Sequence, residues 1–253
     1  MLNKEIPQEK LKKLKLLILD SDGVSIPRGT KISEKEEGNF YEVNFKTEKI
    51  TDEFANLVNQ LKKKIQICIS SGRSLIYLQS MYDKIIGQGT ILMAENGNLS
   101  LDNGQIIQHF LYDEEYFEKL AKIKKEVKRL DISGVEPKQF ILTIHAPREI
   151  LEVYEIVKKF DIDKKLRVMW NGEAFDVMAG NASKGEALKF LLQFFSIRSN
   201  NVIAIGDRVN DKELLEVAGV GVSADPQNLP AEFWTIGNFL PGEALVRYLL
   251  QNL

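Results

Sequence analysis

The sequence predicts an α/β protein: a Rossmann-like core with a parallel sheet, plus a small inserted α+β domain. Three observations support this. Short apolar segments alternate with amphipathic helical segments at both ends of the 253-residue chain, as in a parallel sheet covered by helices. Several of these apolar segments end in polar clusters. Residues 114–178, in contrast, follow a different order of elements, which indicates an insertion.

The first part of the chain predicts three buried strands. Short apolar runs are typical of parallel strands covered on both faces, and they occupy Leu16–Leu19, Ile65–Ile69 and Thr90–Ala94. We predict helices over 52–64 and 74–82; the first has early acidic residues and late lysines, as the helix dipole favours. A hairpin over 99–107 turns on Asn103-Gly104. Residues 25–45 predict a polar hairpin, a candidate flap with no role assigned to any single residue.

The middle of the chain predicts an α-β-α-β-β block. Its predicted elements are a helix over 114–130, a strand over 139–145, a helix over 148–160 and strands over 165–170 and 173–178. The last two strands flank Asn171-Gly172, a strong hairpin signal. We therefore expect a core of residues 1–111 and 180–253 and an inserted domain of residues 112–179.

The final part returns to the α/β pattern. Ser183 can cap a helix over 184–195, which precedes a strand over 202–205. A helix over 210–217, a strand over 219–222 and a last helix over 242–251 complete the core.

Composition excludes several classes of protein. The chain has 34 Lys+Arg and 36 Asp+Glu, and this formal charge of −2 argues against a nucleic-acid binder. The single cysteine, Cys68, excludes an internal disulfide and a cysteine-rich zinc site. Because no apolar run approaches the ~20 residues of a membrane span, we expect no membrane partner. We expect a cytoplasmic monomer or small homo-oligomer.

Polar residues follow the predicted strands or begin a helix. The carboxyl ends of parallel strands meet at one edge of a sheet, where ligands bind. Carboxylates without histidine suit Mg²⁺, a lysine and a hydroxyl suit phosphate, and an aspartate can become phosphorylated. The residues in question are Asp20, Asp22, Ser71, Gly72, Arg73, Lys184, Asp207, Asn210 and Asp211.

The ordered set of motifs resembles the haloacid dehalogenase (HAD) superfamily of phosphatases. Each motif alone is weak, but together they span nearly the whole chain in the expected order. Valine at position 24 stands where family members commonly have threonine. The matching segments are LLILDSDGV (16–24), ICISSGRS (67–74), SKGEAL (183–188) and VIAIGDRVND (202–211).

This resemblance implies a role for each motif. Asp20 is implied as the nucleophile that forms an aspartyl-phosphate, and Asp22 as the general acid and base. Ser71, with Gly72, and Asn210 are implied to contact the phosphate, whose charge Lys184 neutralises. Mg²⁺ is implied to bind Asp20, Asp207 and the Asp22 main-chain carbonyl, with Asp211 supporting either the metal or Lys184. Arg73 is expected to be structural.

The inserted block resembles the C2b type of cap, found in sugar-phosphate phosphatases and phosphomannomutases. Residues 134–138 and His145 resemble a stretch of trehalose-6-phosphate phosphatases, and Asp176 falls where that family has a cap glutamate. Lys138, Arg148 and Asp176 are therefore implied to bind substrate, although Arg148 is displaced by one residue from the family spacing. Residues 94–97 look more like the Cof-type sugar phosphatases.

The resulting prediction is Mg²⁺-dependent hydrolysis of a sugar phosphate, with trehalose 6-phosphate as the lead candidate. Two alternatives stay open: a phosphomannomutase-like phosphotransferase, and a non-catalytic phosphate-binding regulatory protein. Several residues also have structural alternatives. Ser71 is suited to a helix cap, Lys138 to a solvated strand start and His145 to a packed position.

Overall fold

The chain forms two compact units in a computed structural model that describes residues 1–35 and 37–253 and the backbone of residue 36. The core unit comprises Met1–Arg28, Glu48–His109 and Ser183–Leu253. The inserted unit comprises Gly29–Thr47 and Phe110–Ala182. The chain therefore passes between the units four times.

Strands and helices are numbered along the chain. The strands are β1 (Leu16–Asp20), β2 (Lys31–Glu37), β3 (Phe40–Lys46), β4 (Gln66–Ser70), β5 (Thr90–Ala94), β6 (Leu99–Asp102), β7 (Gln105–Gln108), β8 (Gly134–Glu136), β9 (Leu142–His145), β10 (Leu166–Trp170), β11 (Ala174–Ala179), β12 (Val202–Gly206), β13 (Val220–Ser223) and β14 (Phe233–Trp234). The helices are α1 (Gln8–Leu11), α2 (Asp52–Leu61), α3 (Leu75–Met81), α4 (Glu114–Val127), α5 (Leu151–Phe160), α6 (Lys184–Phe194), α7 (Lys212–Val217) and α8 (Pro241–Asn252). Within the described part of the chain, no helix combines the length and apolar character needed to cross a bilayer.

The core unit is built on one sheet with the strand order β14-β13-β12-β1-β4-β5-β6-β7. Strands β14 to β5 in this order pair in parallel, whereas β6 and β7 add an antiparallel edge. Every residue of β1 and β12 is buried, as the apolar runs predict. The predicted parallel α/β core is confirmed. The two-residue strand β14 is too short to carry a sequence signal.

The inserted unit contains a four-stranded antiparallel sheet with the order β10-β11-β9-β8. Alternate residues of its strands, such as Val135, Ile144 and Val177, pack with Ile123 of α4 and Val153 of α5. The intervening residues of these strands carry polar side chains. These lie on the other face of the sheet, because successive residues of a strand point to opposite faces. The sequence prediction missed the short strand β8 and began α5 three residues early.

The hairpin β2–β3 belongs to the inserted unit. The predicted division, which placed residues 25–45 in the core, is therefore wrong for the part of this segment that begins at Gly29. Glu34 Oε2 accepts a hydrogen bond from the Val135 amide of edge strand β8 (2.9 Å), and Lys128 Nζ lies 3.1 Å from Glu34 Oε1. Gly134 has φ +152°, and a Cβ there would lie 3.0 Å from the Glu34 Cβ. Burial raises the pKa of Glu34, but the bonds from Val135, Tyr41 and Lys128 outweigh burial and hold this pKa below its usual value. The other boundaries of the inserted unit, at 110 and 182, lie two and three residues outside the prediction.

Replacing Glu34 should loosen the hairpin. Glu34→Ala removes a hydrogen bond between a charged group and the Val135 amide, and such bonds contribute about 1.5–3 kcal/mol. Hydrogen–deuterium exchange should become faster at Val135 and along β2 and β3. Glu37→Ala is the matched control, because the Glu37 side chain is 69% exposed and pairs with Lys35. Unchanged hydrogen–deuterium exchange in Glu34→Ala would show that Glu34 does not attach the hairpin to strand β8.

Candidate active site

Three adjacent parallel strands, β12, β1 and β4, end at the same edge of the core sheet. Asp20 is the last residue of β1, Ser71 directly follows β4, and Asp207 directly follows β12. All three are buried, with exposed fractions of 2–6%. The fold therefore brings together polar residues that are far apart in the sequence.

Lys184 lies at the centre of this group. Its Nζ donates to Asp20 Oδ1 (2.5 Å) and to Asp211 Oδ1 (2.6 Å), and the residue is 1% exposed. Ser183 caps α6 by accepting a hydrogen bond from the Glu186 amide, which places Lys184 at the first helical position. Burial lowers the pKa of Lys184, but the charges and hydrogen bonds of Asp20 and Asp211 raise it above its usual value. Lys184 is thus a buried cation that is paired with two carboxylates.

Asp211 connects Lys184 to the loop after β12. Its Oδ2 accepts hydrogen bonds from the backbone amides of Asp207 (3.1 Å) and Arg208 (3.2 Å). The predicted helix over 210–217 is split into a 3₁₀ turn, Val209–Asp211, and the shorter α7. Both carboxylate oxygens of Asp211 are therefore engaged within the protein.

Asp20, Asp207 and Asp211 form an acidic cluster, with one oxygen of each carboxylate within 4.8 Å of the others. Burial raises the pKa of Asp20 well above its usual value, and the charges of Asp211 and Asp207 raise it further against the opposing effect of Lys184. Asp207 Oδ1 is buried and has no hydrogen-bond partner among the described residues. Converging carboxylates with one unpartnered oxygen fit a hard divalent cation such as Mg²⁺.

Asp22 is held by Arg73, which follows the end of β4. Arg73 Nε donates to Asp22 Oδ2 (3.2 Å), and an Nη donates to Asp22 Oδ1 (2.8 Å). This two-bond geometry fixes the plane of the carboxylate. Arg73, which the sequence predicts to be structural, thus orients the residue implied as the general acid and base.

Ser71, Gly72 and Asn210 meet around Asn96. The Ser71 carbonyl accepts from the Asn96 amide (3.0 Å), and Asn210 Nδ2 donates to Asn96 Oδ1 (3.2 Å). A Cβ on Gly72 would approach Asn96 Oδ1 to 3.3 Å. Ser71 Oγ accepts from the Arg73 amide (3.1 Å), so its hydroxyl proton can serve another acceptor.

The turn that carries Asn96 has an unusual backbone. Glu95, Asn96 and Gly97 all have positive φ values, of 52°, 54° and 91°. A side chain on Gly97 would collide with Ala187 of α6, where its Cβ would lie 2.5 Å from the Ala187 Cβ. His109 Nδ1 lies 2.7 Å from the Gly97 carbonyl, and burial lowers the pKa of His109 to about 4. A neutral histidine thus supports this turn at physiological pH.

A polar row lies on the sheet of the inserted unit and includes two of the three predicted substrate-binding residues there. The strand register aligns Thr143 with both Glu136 and Asp176. Lys138 Nζ donates to Thr143 Oγ1 (2.6 Å), which in turn donates to Asp176 Oδ1 (2.5 Å). His145 Nε2 lies 3.0 Å from Glu136 Oε2, so this histidine is buried and paired.

The third predicted residue, Arg148, is not brought to this row. It is exposed and follows the end of β9. With Leu130, Asp131 and the start of α5, it lines a separate surface pocket. No contact found among the described residues joins Arg148 to Lys138 or Asp176.

A protein-family model matches this chain. The family model for haloacid dehalogenase-like hydrolases matches residues 43–168 and 133–226, well over half of the chain. The chain belongs to the haloacid dehalogenase-like hydrolase family.

Similar proteins and solved structures cover most of the chain. A phosphoglycolate phosphatase of Picrophilus torridus is 26% identical over 237 residues, 91% of this chain and 86% of that protein. A HAD-superfamily phosphatase of Bacteroides thetaiotaomicron has a TM-score of 0.67 at 17% identity and covers 99% and 98% of the two chains. A trehalose-6-phosphate phosphatase related protein has a TM-score of 0.67 at 13% identity, covering 94% and 97%. The two structures establish the HAD fold.

Sequence reasoning missed two residues beside this site, Arg28 and Asn96, and one contact of Arg73. Arg28, which donates to Asp207 Oδ2 (2.5 Å), lies in a segment with no distinctive motif. Asn96 follows a buried strand and precedes a glycine, and within residues 94–97 it contributes to the likeness to Cof-type phosphatases. Arg73 directly follows Ser71-Gly72, and its contact with Asp22 depends on how the two loops face each other.

Proposed function

We propose that this HAD phosphatase transfers the phosphoryl group of a small phosphomonoester first to Asp20 and then to water. The observation that carries the proposal is the buried Lys184 between Asp20 and Asp211, beside Asp207. Phosphoryl transfer depends mainly on positioning and charge neutralisation, and this cluster supplies both.

The proposed reaction has two steps. In the first, an Asp20 carboxylate oxygen forms a bond to phosphorus as the bond to the leaving oxygen breaks, and Asp22 gives its proton to that oxygen. In the second, Asp22 takes a proton from water as the water oxygen bonds to phosphorus. The bond between phosphorus and Asp20 then breaks, which restores the carboxylate and releases phosphate.

Asp20, Asp207 and the Asp22 main-chain carbonyl are the groups that we assign to Mg²⁺. The bound cation would offset the repulsion between the Asp20 carboxylate and the phosphate dianion. We assign Asp211 to the support of Lys184 and of the loop after β12, because both of its oxygens are already engaged. Ser71, with Gly72 and Asn210 beside it, is assigned to the phosphate oxygens.

The substrate is proposed to be a sugar phosphate, with trehalose 6-phosphate as the lead candidate. The polar row that contains Lys138 and Asp176 supports this choice, since these groups can exchange hydrogen bonds with hydroxyls. Phosphoglycolate is the second candidate, because the P. torridus relative, which covers most of the chain, is named a phosphoglycolate phosphatase. Release of free phosphate distinguishes hydrolysis from phosphotransfer, and any turnover excludes a purely regulatory role.

Hydrolysis should depend on a divalent cation and on Asp20. EDTA should abolish phosphate release from p-nitrophenyl phosphate, and Mg²⁺ should restore it. Asp20→Asn should fold but lose several orders of magnitude in kcat, because the attacking carboxylate is gone. Asp52→Asn, at an 86% exposed side chain, is the control and should keep full activity. Activity that survives both EDTA and Asp20→Asn would refute the mechanism.

Asp22→Asn should reduce turnover according to the leaving group. It removes proton transfer, which contributes about 10²–10⁴-fold, but keeps the size of the side chain and the main-chain carbonyl. Single-turnover rates should fall further for an alkyl phosphate than for p-nitrophenyl phosphate, because nitrophenolate leaves without a proton. Equal losses in the first step for both substrates would argue against Asp22 as the general acid.

A substrate panel combined with Lys138→Ala tests specificity. We expect kcat/KM for the preferred sugar phosphate to fall about 10- to 150-fold, while p-nitrophenyl phosphate turnover scarcely changes. Lys122→Ala is the control, since that side chain is 57% exposed and pairs with Glu118. A preference for phosphoglycolate over every sugar phosphate would replace the lead candidate with the second one. An unchanged kcat/KM in Lys138→Ala would exclude Lys138 from substrate binding.

A further inference from the structure

Arg28 contacts a proposed metal ligand. An Nη of Arg28 donates to Asp207 Oδ2 at 2.5 Å. The Asp207 side chain is 7% exposed and that of Arg28 is 29% exposed, so the ion pair lies at the margin of the acidic cluster. The other oxygen, Asp207 Oδ1, has no hydrogen-bond partner among the described residues.

The turn after β1 makes room for this contact. Gly23 has φ +85°, and a Cβ there would lie 2.6 Å from Asp207 Oδ2 and 2.7 Å from Arg28 Nε. The Gly23 amide donates to the Ile26 carbonyl (2.8 Å), which folds the chain back so that Arg28 returns toward Asp207. The Arg28–Asp207 pair thus occupies space that only a glycine at position 23 leaves open.

The three carboxylates of the acidic cluster have different cationic partners. Lys184 is shared between Asp20 and Asp211, with Nζ–O distances of 2.5 and 2.6 Å. Arg28 is the cation that hydrogen-bonds to Asp207, and the charge of Arg208 acts on Asp207 to a smaller extent. A divalent cation held by Asp207 would therefore lie close to the Arg28 guanidinium, and like charges repel.

We propose that Arg28 is a resident counter-ion of Asp207 that stabilises the acidic cluster without metal and weakens the binding of a divalent cation. This inference rests on the metal site of the proposed function. A cation on Asp207 Oδ1 and the Arg28 guanidinium on Oδ2 would share one carboxylate, so their mutual repulsion lowers the metal affinity. Arg28 is therefore a positioning residue, which acts through Asp207.

Direct Mn²⁺ binding tests the proposal. The full-length protein is stripped with EDTA, dialysed and titrated with Mn²⁺, and free Mn²⁺ is measured by electron paramagnetic resonance. Arg28→Ala and Arg28→Gln should bind Mn²⁺ on the order of tenfold more tightly than wild type, because each removes the charge. Arg28→Lys keeps the charge and should bind like wild type. Arg129→Ala, a 64% exposed arginine paired with Glu126, is the control.

Thermal unfolding of the metal-free protein gives a second readout. Without metal, Arg28→Ala and Arg28→Gln should lower Tm by about 2–4 °C, because Asp207 loses its counter-ion. Added Mn²⁺ should raise Tm more in these variants than in wild type. The Gln variant, which can still donate a hydrogen bond, keeps the test available if the Ala variant folds poorly.

The outcomes separate this proposal from the metal site itself. Wild-type protein that binds no Mn²⁺ would overturn the metal site and the role of Arg28 together. Wild-type binding that Asp207→Asn weakens, combined with equal or weaker binding in Arg28→Ala and Arg28→Gln, would overturn only the role of Arg28. Tighter binding in both charge-removing variants, but not in Arg28→Lys or Arg129→Ala, would support it.

Discussion

The core unit depends on the buried ammonium group of Lys184. A buried charge is costly unless it is paired, and the partners of Lys184 come from two other segments of the chain. Asp20 ends β1, and Asp211 closes the turn after β12. Both must reach Lys184 at the start of α6, so the adjacent pairing of β1 with β12 and the capping of α6 by Ser183 are required together. The residues assigned to chemistry therefore also satisfy a structural need.

Local signals predicted most of the core and part of its site. The buried strands ending near Asp20 and Asp207 are short apolar runs, and parallel strands necessarily place these aspartates at one edge. The contacts of Arg28 and Arg73 could not be predicted, because they depend on long side chains that reach between loops. The hairpin around Glu34 was assigned to the wrong unit for a similar reason: its partner Val135 is 101 residues away.

Family motifs predict the placement of site residues in the core unit better than in the inserted unit. The core motifs match a chemistry shared by HAD phosphatases, and their residues converge on one cluster. In the inserted unit, Lys138 and Asp176 are joined through Thr143, whereas Arg148 lies apart. The register of β8, β9 and β11 places Glu136, Thr143 and Asp176 side by side, so this polar row depends on strand pairing as much as on residue identity.

The four passages of the chain between the units limit how modular this protein is. The inserted unit is made of two separate stretches, 29–47 and 110–182, which are held together by contacts such as that between Glu34 and Val135. Excision of the longer stretch alone would leave β2 and β3 as an orphan hairpin with unpaired edges, which invites aggregation. Recombination with the corresponding unit of a relative would need two coordinated exchanges. This unit is therefore better suited to evolve by substitution in place than by wholesale replacement.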